Sequence, residues 1–506
     1  MDGIQEKEET STDHSSDTIA LDEDEDPKNL AIWRKWMAVL VISSSSLCIT
    51  CASTLAASAE DGLSREFGVK KIVSVLSISL FIEGLGLGPL VVGPLSEVYG
   101  RNPIYRASYV LLFALSWPVA FAPNIATFLV FRFLTGLCGA AFLSVAGGSV
   151  TDLFSDWTVA NPMAVYTISP FLGPVIGPII SGFINEVRRS APSGMRLGLN
   201  SPNELASVLA MDVLSHHCLE LWATPRLTLL RSRDLRSHFT ETKSSKVNIY
   251  DSVAYNLLNT DSRIARKSNQ VIEKDDWRKI FHAILISCYT PFKLIFLDRM
   301  ALLLDIWTAL ALGILYLAFQ VYPIIFGLGH GFDLQQTGLG FLGVGVGLFL
   351  ALATQPLWNR FHKKIAKSNG GKLPPEARLY MGQVGAVCIP VGLFWLAFTT
   401  YPSVHWIVPI IASVPFGAGI FFVFNSTFTY LVIAYRPVAA SAMAGNSAMR
   451  ATFGAVFPLF AGAMYQRLGT VGATALLAGL TAIMAPLPFV LVKIGPRLRS
   501  QSRFAV

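Results

Sequence analysis

Charge is scarce in this chain. Asp, Glu, Lys and Arg make up 14% of its 506 residues, where soluble domains carry about 25%. Hydrophobic residues reach 52% and the mean hydropathy is +0.51, which excludes an ordinary soluble domain. Cysteines number six, at 48, 51, 138, 218, 288 and 388. Their spacing pairs none of them, which excludes a disulfide framework or a zinc site. His, Cys and acids nowhere cluster at one depth of the apolar runs, so nothing points to a membrane enzyme. The phosphate-binding pattern Gly-x-x-x-x-Gly-Lys-Ser/Thr is missing too, since Gly370-Gly371-Lys372-Leu373 lacks its spacing and its hydroxyl, which excludes an ATP-driven pump. The amino terminus has no basic segment followed by a short apolar core, so no cleavable signal peptide is expected. The net charge of +7 forms no single patch and gives no nucleic-acid partner. Basic residues fall instead in short loops and tails, where they mark the cytosolic face.

What remains is a series of long apolar runs. About 20 residues of helix cross the hydrocarbon core of a bilayer. Spans are expected at about 37–59, 72–92, 109–122, 125–150, 163–184, 300–326, 335–357, 380–400, 405–432, 439–464 and 470–492. Residues 1–29 form an acidic cytosolic tail expected to be disordered, 30–185 a first half with spans one to five, and 299–492 a second half with spans seven to twelve. A polar, basic central loop occupies 226–298, and 493–506 is a basic cytosolic tail. Orientation requires one further crossing between Asn185 and Arg226, and its candidate is 199–224. That stretch carries Glu204, Asp212, His216, His217 and Glu220, and a charge at a helix centre costs about 2.5–3.5 kcal/mol. Region 186–225 is therefore expected to hold a poorly formed sixth span. The predicted fold is all-α, with two pseudo-symmetric six-helix halves. Pro356 to Lys363 after span eight weakly echoes Pro94 to Arg101 after span two, as parallel repeats do.

Three stretches carry chemistry. Between spans two and three, Gly93, Leu95, Glu97, Gly100 and Arg101 read as a tight charged turn, its glycines allowing close approach and its acid and arginine able to pair across the cytosolic face. Arg132 lies inside span four, where a charge is expensive and marks function by default. Span five holds Gly173-Pro174 and Gly177-Pro178, a pattern for a kinked and closely packed helix. Intramembrane acids are Glu83 and Asp305, the latter placed near the cytosolic end of span seven, and Arg450 in span eleven is available to pair with one of them. Tyr166, Tyr316, Phe319 and Tyr322 are mostly packing residues that could also line an apolar cavity.

These stretches resemble motifs A, B and C of the major facilitator superfamily, with Glu97 where many relatives have Asp. The similarity is nearest to the fungal twelve-span drug:proton antiporters, the group of polyamine, multidrug and secondary-metabolite exporters. Three blocks carry it: Gly88 to Arg101, Ser169 to Gly182, and Tyr435 to Ala442. It covers about 28–185 and 276–506, and it fails over 186–225. Ile433 stands where relatives often have an acid. The resemblance implies a proton-coupled exporter of small amphipathic molecules such as drugs, toxins or fungal secondary metabolites, working by alternating access. Motif A would be the gating element, Arg132 would be tied to proton coupling, and the span-five block would be the antiporter helix. Such a protein needs no cofactor beyond the proton gradient. Its partners would be a small-molecule substrate and the lipid bilayer, in a monomer of the plasma membrane with both termini cytosolic. A nutrient or polyamine transporter of the same fold, or a transporter inactivated by its damaged sixth span, are the alternatives.

Overall fold

The computed structural model describes residues 30–99, 101–154, 158–190, 289–371, 373–435, 438–502 and 504. The acidic tail, the sixth span expected at 199–224 and nearly all of the central loop lie outside these residues. Among the described residues all regular structure is helical.

In the first half, α1 spans Ile32–Leu55, α2 Lys71–Tyr99, α3 Arg101–Ala120, α4 Ile125–Gly139, α5 Ala141–Leu153 and α6 Ala160–Ser190. The second half holds α7 (Arg299–Tyr322), α8 (Leu342–Ala353), α9 (Gln355–Ser368), α10 (Leu379–Phe398), α11 (Ile407–Ala434), α12 (Ala439–Met484) and α13 (Leu487–Gln501). A short helix, Leu334–Leu339, leads into α8. Polar caps fix where the apolar helices begin. Asn124 accepts the Thr127 amide at 2.8 Å to start α4, and Asp298 accepts the Met300 and Ala301 amides at 3.0 Å to start α7.

Nine described stretches are long and apolar enough to cross a membrane. One of these, Ser441–Gln501, is two crossings. Gly469 takes a positive φ of 70° that only glycine adopts readily, and the chain reverses there. Tyr465 and Thr474 show the reversal: their hydroxyls bond at 2.9 Å, although nine residues of straight helix would separate them by roughly 13 Å. The divided stretch and the less apolar α3 bring the described crossings to eleven.

Two stretches expected as loops are helical. The motif A segment extends α2 as far as Tyr99, and α3 begins at Arg101. Its echo after span eight belongs to α9. Charged residues continue each helix beyond the apolar run because the backbone bonds are satisfied within the helix whichever solvent surrounds it. The resemblance of the two segments therefore extends to their conformation.

The first half has its own core, with Ile49, Phe81, Leu85, Leu112 and Phe142 packed together. A larger core crosses between the halves and joins Ile78, Ile82, Phe171 and Val175 to Leu312, Tyr316, Phe341 and Phe424. Tyr166, Tyr316, Phe319 and Tyr322 are all buried. Phe319 and Tyr322 pack against Phe341, at ring centroid distances of 5.2 and 4.3 Å, so these two act as packing residues.

Candidate transport machinery

Arg101 rests on α5. Its Nε lies 2.5 Å from Asp152 Oδ2, and its Nη1 donates to the Val145 carbonyl at 3.3 Å. The ionic partner found among the described residues thus belongs to the same half, where the sequence allowed a bond across the two. Gly148 provides the seat: a Cβ there would collide with the guanidinium. Tyr105, one turn along α3, bonds Ser149 at 3.0 Å and stacks on Phe142. Gly93 has open space where its Cβ would be, Leu95 is half-buried, and the Glu97 side chain and Gly100 lie outside the described residues. Gly148→Val should displace Arg101 from Asp152 and cut transport severely, with little change in melting temperature because an exposed ion pair stabilises by about 0–1 kcal/mol. Paired transport and melting measurements check this; wild-type transport by the variant would refute it.

The helix α6 is packed on two sides. Gly173 lies against the Thr50–Cys51 backbone, and Gly177 against the Thr54 hydroxyl and the Cys51 carbonyl, so both glycines of the motif seat on α1. Larger residues would hold the helices apart. A second face meets the other half. Gly338 abuts the Pro178 carbonyl, Gly182 abuts the Leu334 carbonyl, and Gly345 approaches Val175. Pro170, Pro174 and Pro178 recur every fourth residue and so share one side of the helix. Pro174 and Pro178 are buried there. All three remove amide donors that a regular helix would use.

This α6 seam belongs to the end of the bundle opposite Arg101. At that end Gln320 also donates to Glu60 at 2.5 Å. Nearer the middle, Ser53 meets Tyr316 at 3.1 Å, Ser79 donates to the Ala455 carbonyl at 2.6 Å, and Gly86 abuts Ala451. At the Arg101 end the halves meet through an exposed amide pair, Asn359 donating to Asn161 at 2.8 Å. Among the described residues, one end is therefore joined by main chain against main chain, and the other carries a side-chain contact open to solvent.

The membrane-embedded charges differ sharply in their surroundings. Arg132 has 0% exposure. Its Nε donates to the Ser77 carbonyl at 3.3 Å, Nη1 and Nη2 donate to the Ala52 carbonyl at 3.3 and 3.2 Å, and Phe81 lies 4.7 Å beneath it. It ties α1, α2 and α4 together. Glu83 is half-buried and accepts from Thr452 of α12 at 3.3 Å, bridging the halves. Asp305, near the start of α7, is 2% exposed. Asn446 donates to it at 2.9 Å and to Thr308 at 2.8 Å. Arg450 is not joined to either acid. Its Nη2 makes only a 3.4 Å contact with Ser447, while Phe424 and Phe428 lie 5.5 and 5.0 Å from the guanidinium carbon.

Several of these partners were not singled out in the sequence. Gly148 stands in Ala146-Gly147-Gly148-Ser149, and the adjacent small residues were its only signal. Asn446 is a polar side chain within an apolar span, a signal that was available. Tyr435, from the third resemblance block, is fully buried and donates to Asp298 at 2.7 Å. Ser502 also donates to Asp298, and Arg499 lies 3.3 Å from Glu376, so this corner draws together the start of α7, the end of α11 and the carboxyl-terminal helix. Arg436 and Pro437 lie outside the described residues.

The family described as the Major Facilitator Superfamily matches residues 42–189 and 229–444, passing over 190–228. Efflux pump atB of Aspergillus terreus is 37% identical, covering 98% of this chain and 91% of its own length. A probable drug/proton antiporter of Saccharomyces cerevisiae, YHK8, is 34% identical over 94% of the chain and 87% of its own length. The multidrug transporter mdrA of Aspergillus fumigatus is also 34% identical, over 95% of the chain and 74% of its own. Among solved structures, the partially occluded inward open form of the xylose transporter XylE from E. coli overlays with a TM-score of 0.57 at 13% identity, covering 91% of this chain and 98% of that one. The two-sided packing of α6, the seated Arg101 and the buried Arg132 thus occur in a chain of matching sequence and matching fold. It is a multi-pass membrane transporter rather than an enzyme, and it belongs to the major facilitator superfamily.

Proposed function

We propose that this chain is a proton-coupled exporter of small amphipathic molecules that works by alternating access. The observation that carries the reading is the seam of α6, whose glycines seat on α1 while its opposite face meets the short helix 334–339 and α8 across the halves. With the Arg101 end assigned to the cytosol by its basic loops, the main-chain seam closes the outer end. The solvent-open Asn161–Asn359 pair lies at the end from which an exporter loads. The names of the relatives, efflux pump and probable drug/proton antiporter, support the same direction. Protons drive the cycle without a further cofactor, and the protein acts as a monomer in the plasma membrane with both termini in the cytosol.

Two acids are placed to carry the proton. Asp305 is held between α7 and α12 by Asn446, and Glu83 bridges α2 and α12. Both therefore touch α12, and each protonation change alters a hydrogen bond to that helix. Expressed in a yeast strain stripped of its own pumps, the protein should lower rhodamine accumulation, and an uncoupler should reverse this by about tenfold, a change of about 1.4 kcal/mol. Asp305→Asn or Glu83→Gln should remove the uncoupler response, whichever acid carries the proton. Efflux that ignores both the uncoupler and these substitutions would sink the coupling. The interrupted family match over 190–228 favours a second reading, a chain that no longer cycles. Accumulation equal to that of empty-vector cells, together with a normal melting curve, would select it.

A further inference from the structure

Two arginines lie within the membrane-spanning helices and show opposite states of satisfaction. Arg132 is held by main-chain carbonyls from two neighbouring helices. Arg450 has no such cradle. Its Nε is buried without a hydrogen-bond partner among the described residues, and its acceptor there is the Ser447 hydroxyl, one turn away on the same helix. Nothing carboxylate lies within ion-pairing distance of it among the described residues. Asp305 acts on Arg450 only through space, while its Oδ1 accepts from Asn446, and Glu83 accepts from Thr452. The hydroxyl of Tyr166 is spent on the Leu143 carbonyl, and that of Tyr316 is shared with Ser53.

Arg450 is partly exposed, but its Nε is buried, and a charged donor withdrawn from water without an acceptor is costly. The phenyl faces of Phe424 and Phe428 offset part of that, on the order of 1–2 kcal/mol. They supply no lone pair to the N–H groups. An anion would supply that lone pair, and the planar fork of arginine matches a carboxylate with two parallel bonds. Phe424 is fully buried and packs against Phe171 of α6 at 4.5 Å, so Arg450 stands beside aromatic contacts that join the two halves. Arg450 and Phe428 are both partly exposed, so the Phe428 ring would lie against an apolar body while the guanidinium holds its acidic group.

Building on the exporter reading, we propose that Arg450 is a specificity-determining residue that binds the carboxylate of an anionic, amphipathic aromatic substrate, with Phe428 against its apolar part. The test is binding to the purified full-length protein of three probes on one scaffold: para-butylbenzoate, para-butylbenzamide and para-butylbenzylamine. The benzoate should bind at least about tenfold more tightly than the amide, as a charge-assisted pair requires. Arg450→Gln should erase this preference by weakening the benzoate alone, and Arg450→Lys should retain part of it. Equal affinities in the wild type, tighter binding of the amine, binding of none of the three, or an unchanged preference in Arg450→Gln would each overturn the proposal. If Arg450→Gln does not fold, the wild-type ranking and Arg450→Lys decide. Transport is read separately, in proteoliposomes with an imposed proton gradient. A benzoate preference without gradient-driven accumulation sustains the anion site and sinks the exporter reading. Driven accumulation of the amine without a benzoate preference does the reverse.

Discussion

Gly173→Val should leave little folded protein and no transport. A Cβ at position 173 would stand 2.7 Å from the Cys51 amide nitrogen and the Thr50 carbonyl carbon, which are main-chain atoms in the middle of α1 and cannot swing aside. The Thr50 hydroxyl would be struck as well, and it is already committed to the Ser46 carbonyl at 2.9 Å. Overpacking a well-filled core costs about 1–3 kcal/mol where side chains can rearrange. Here two helix backbones must separate, and the motion carries to the contacts that α6 makes with the other half. The measurement is the monodisperse yield in detergent and the melting temperature. Gly93→Ala serves as the internal comparison, because nothing lies within 4 Å of the Cβ it would add. Gly173→Val melting with the wild type would refute this account of the seam.

Arg132→Ala should be nearly as damaging, for a different reason. The guanidinium occupies a site with no exposure and holds the carbonyls of Ala52 and Ser77 from one point on α4. Removing it leaves those carbonyls without these bonds, uncovers the face of Phe81 and opens a cavity, together a loss on the order of 3–5 kcal/mol. Arg132→Lys keeps the charge and loses the fork, so it should recover folding only in part. Thermal melting and gradient-driven efflux should fall together in both variants. A protein with Arg132→Ala that melts normally yet no longer responds to an uncoupler would assign this arginine to coupling instead of assembly.

Spacing made part of this machinery legible and could not reach the rest. Gly173 and Gly177, four residues apart, had to share a face, and that face is the one on α1. The apolar runs located the crossings, including the reversal after Leu468, because a glycine between two spans is a local signal. Motif A was misread as a loop since charge was taken to end a helix, whereas charge only ends its membrane burial. The partner of Arg101 could not be read along the chain, because Asp152 is brought to it by the packing of α5 on α3. That α12 covers Asp305 could not be read from its distance to the helix start. The isolation of Arg450 is likewise a fact of three dimensions, since in sequence it has acids enough to choose from.

The seam at the outer end has a further consequence. Where Gly182 meets Leu334 and Gly338 meets Pro178, no side chain can rotate to widen the gap by degrees. Helices in such contact are either seated or apart, and packed interfaces favour two settings over a continuum. If the halves part here, as the exporter reading requires, the gap forms along the whole seam in one movement. Until then these main-chain contacts offer a file of water, the path by which protons would leak, no side chain to push aside. The seam is in this sense a valve without a trickle position.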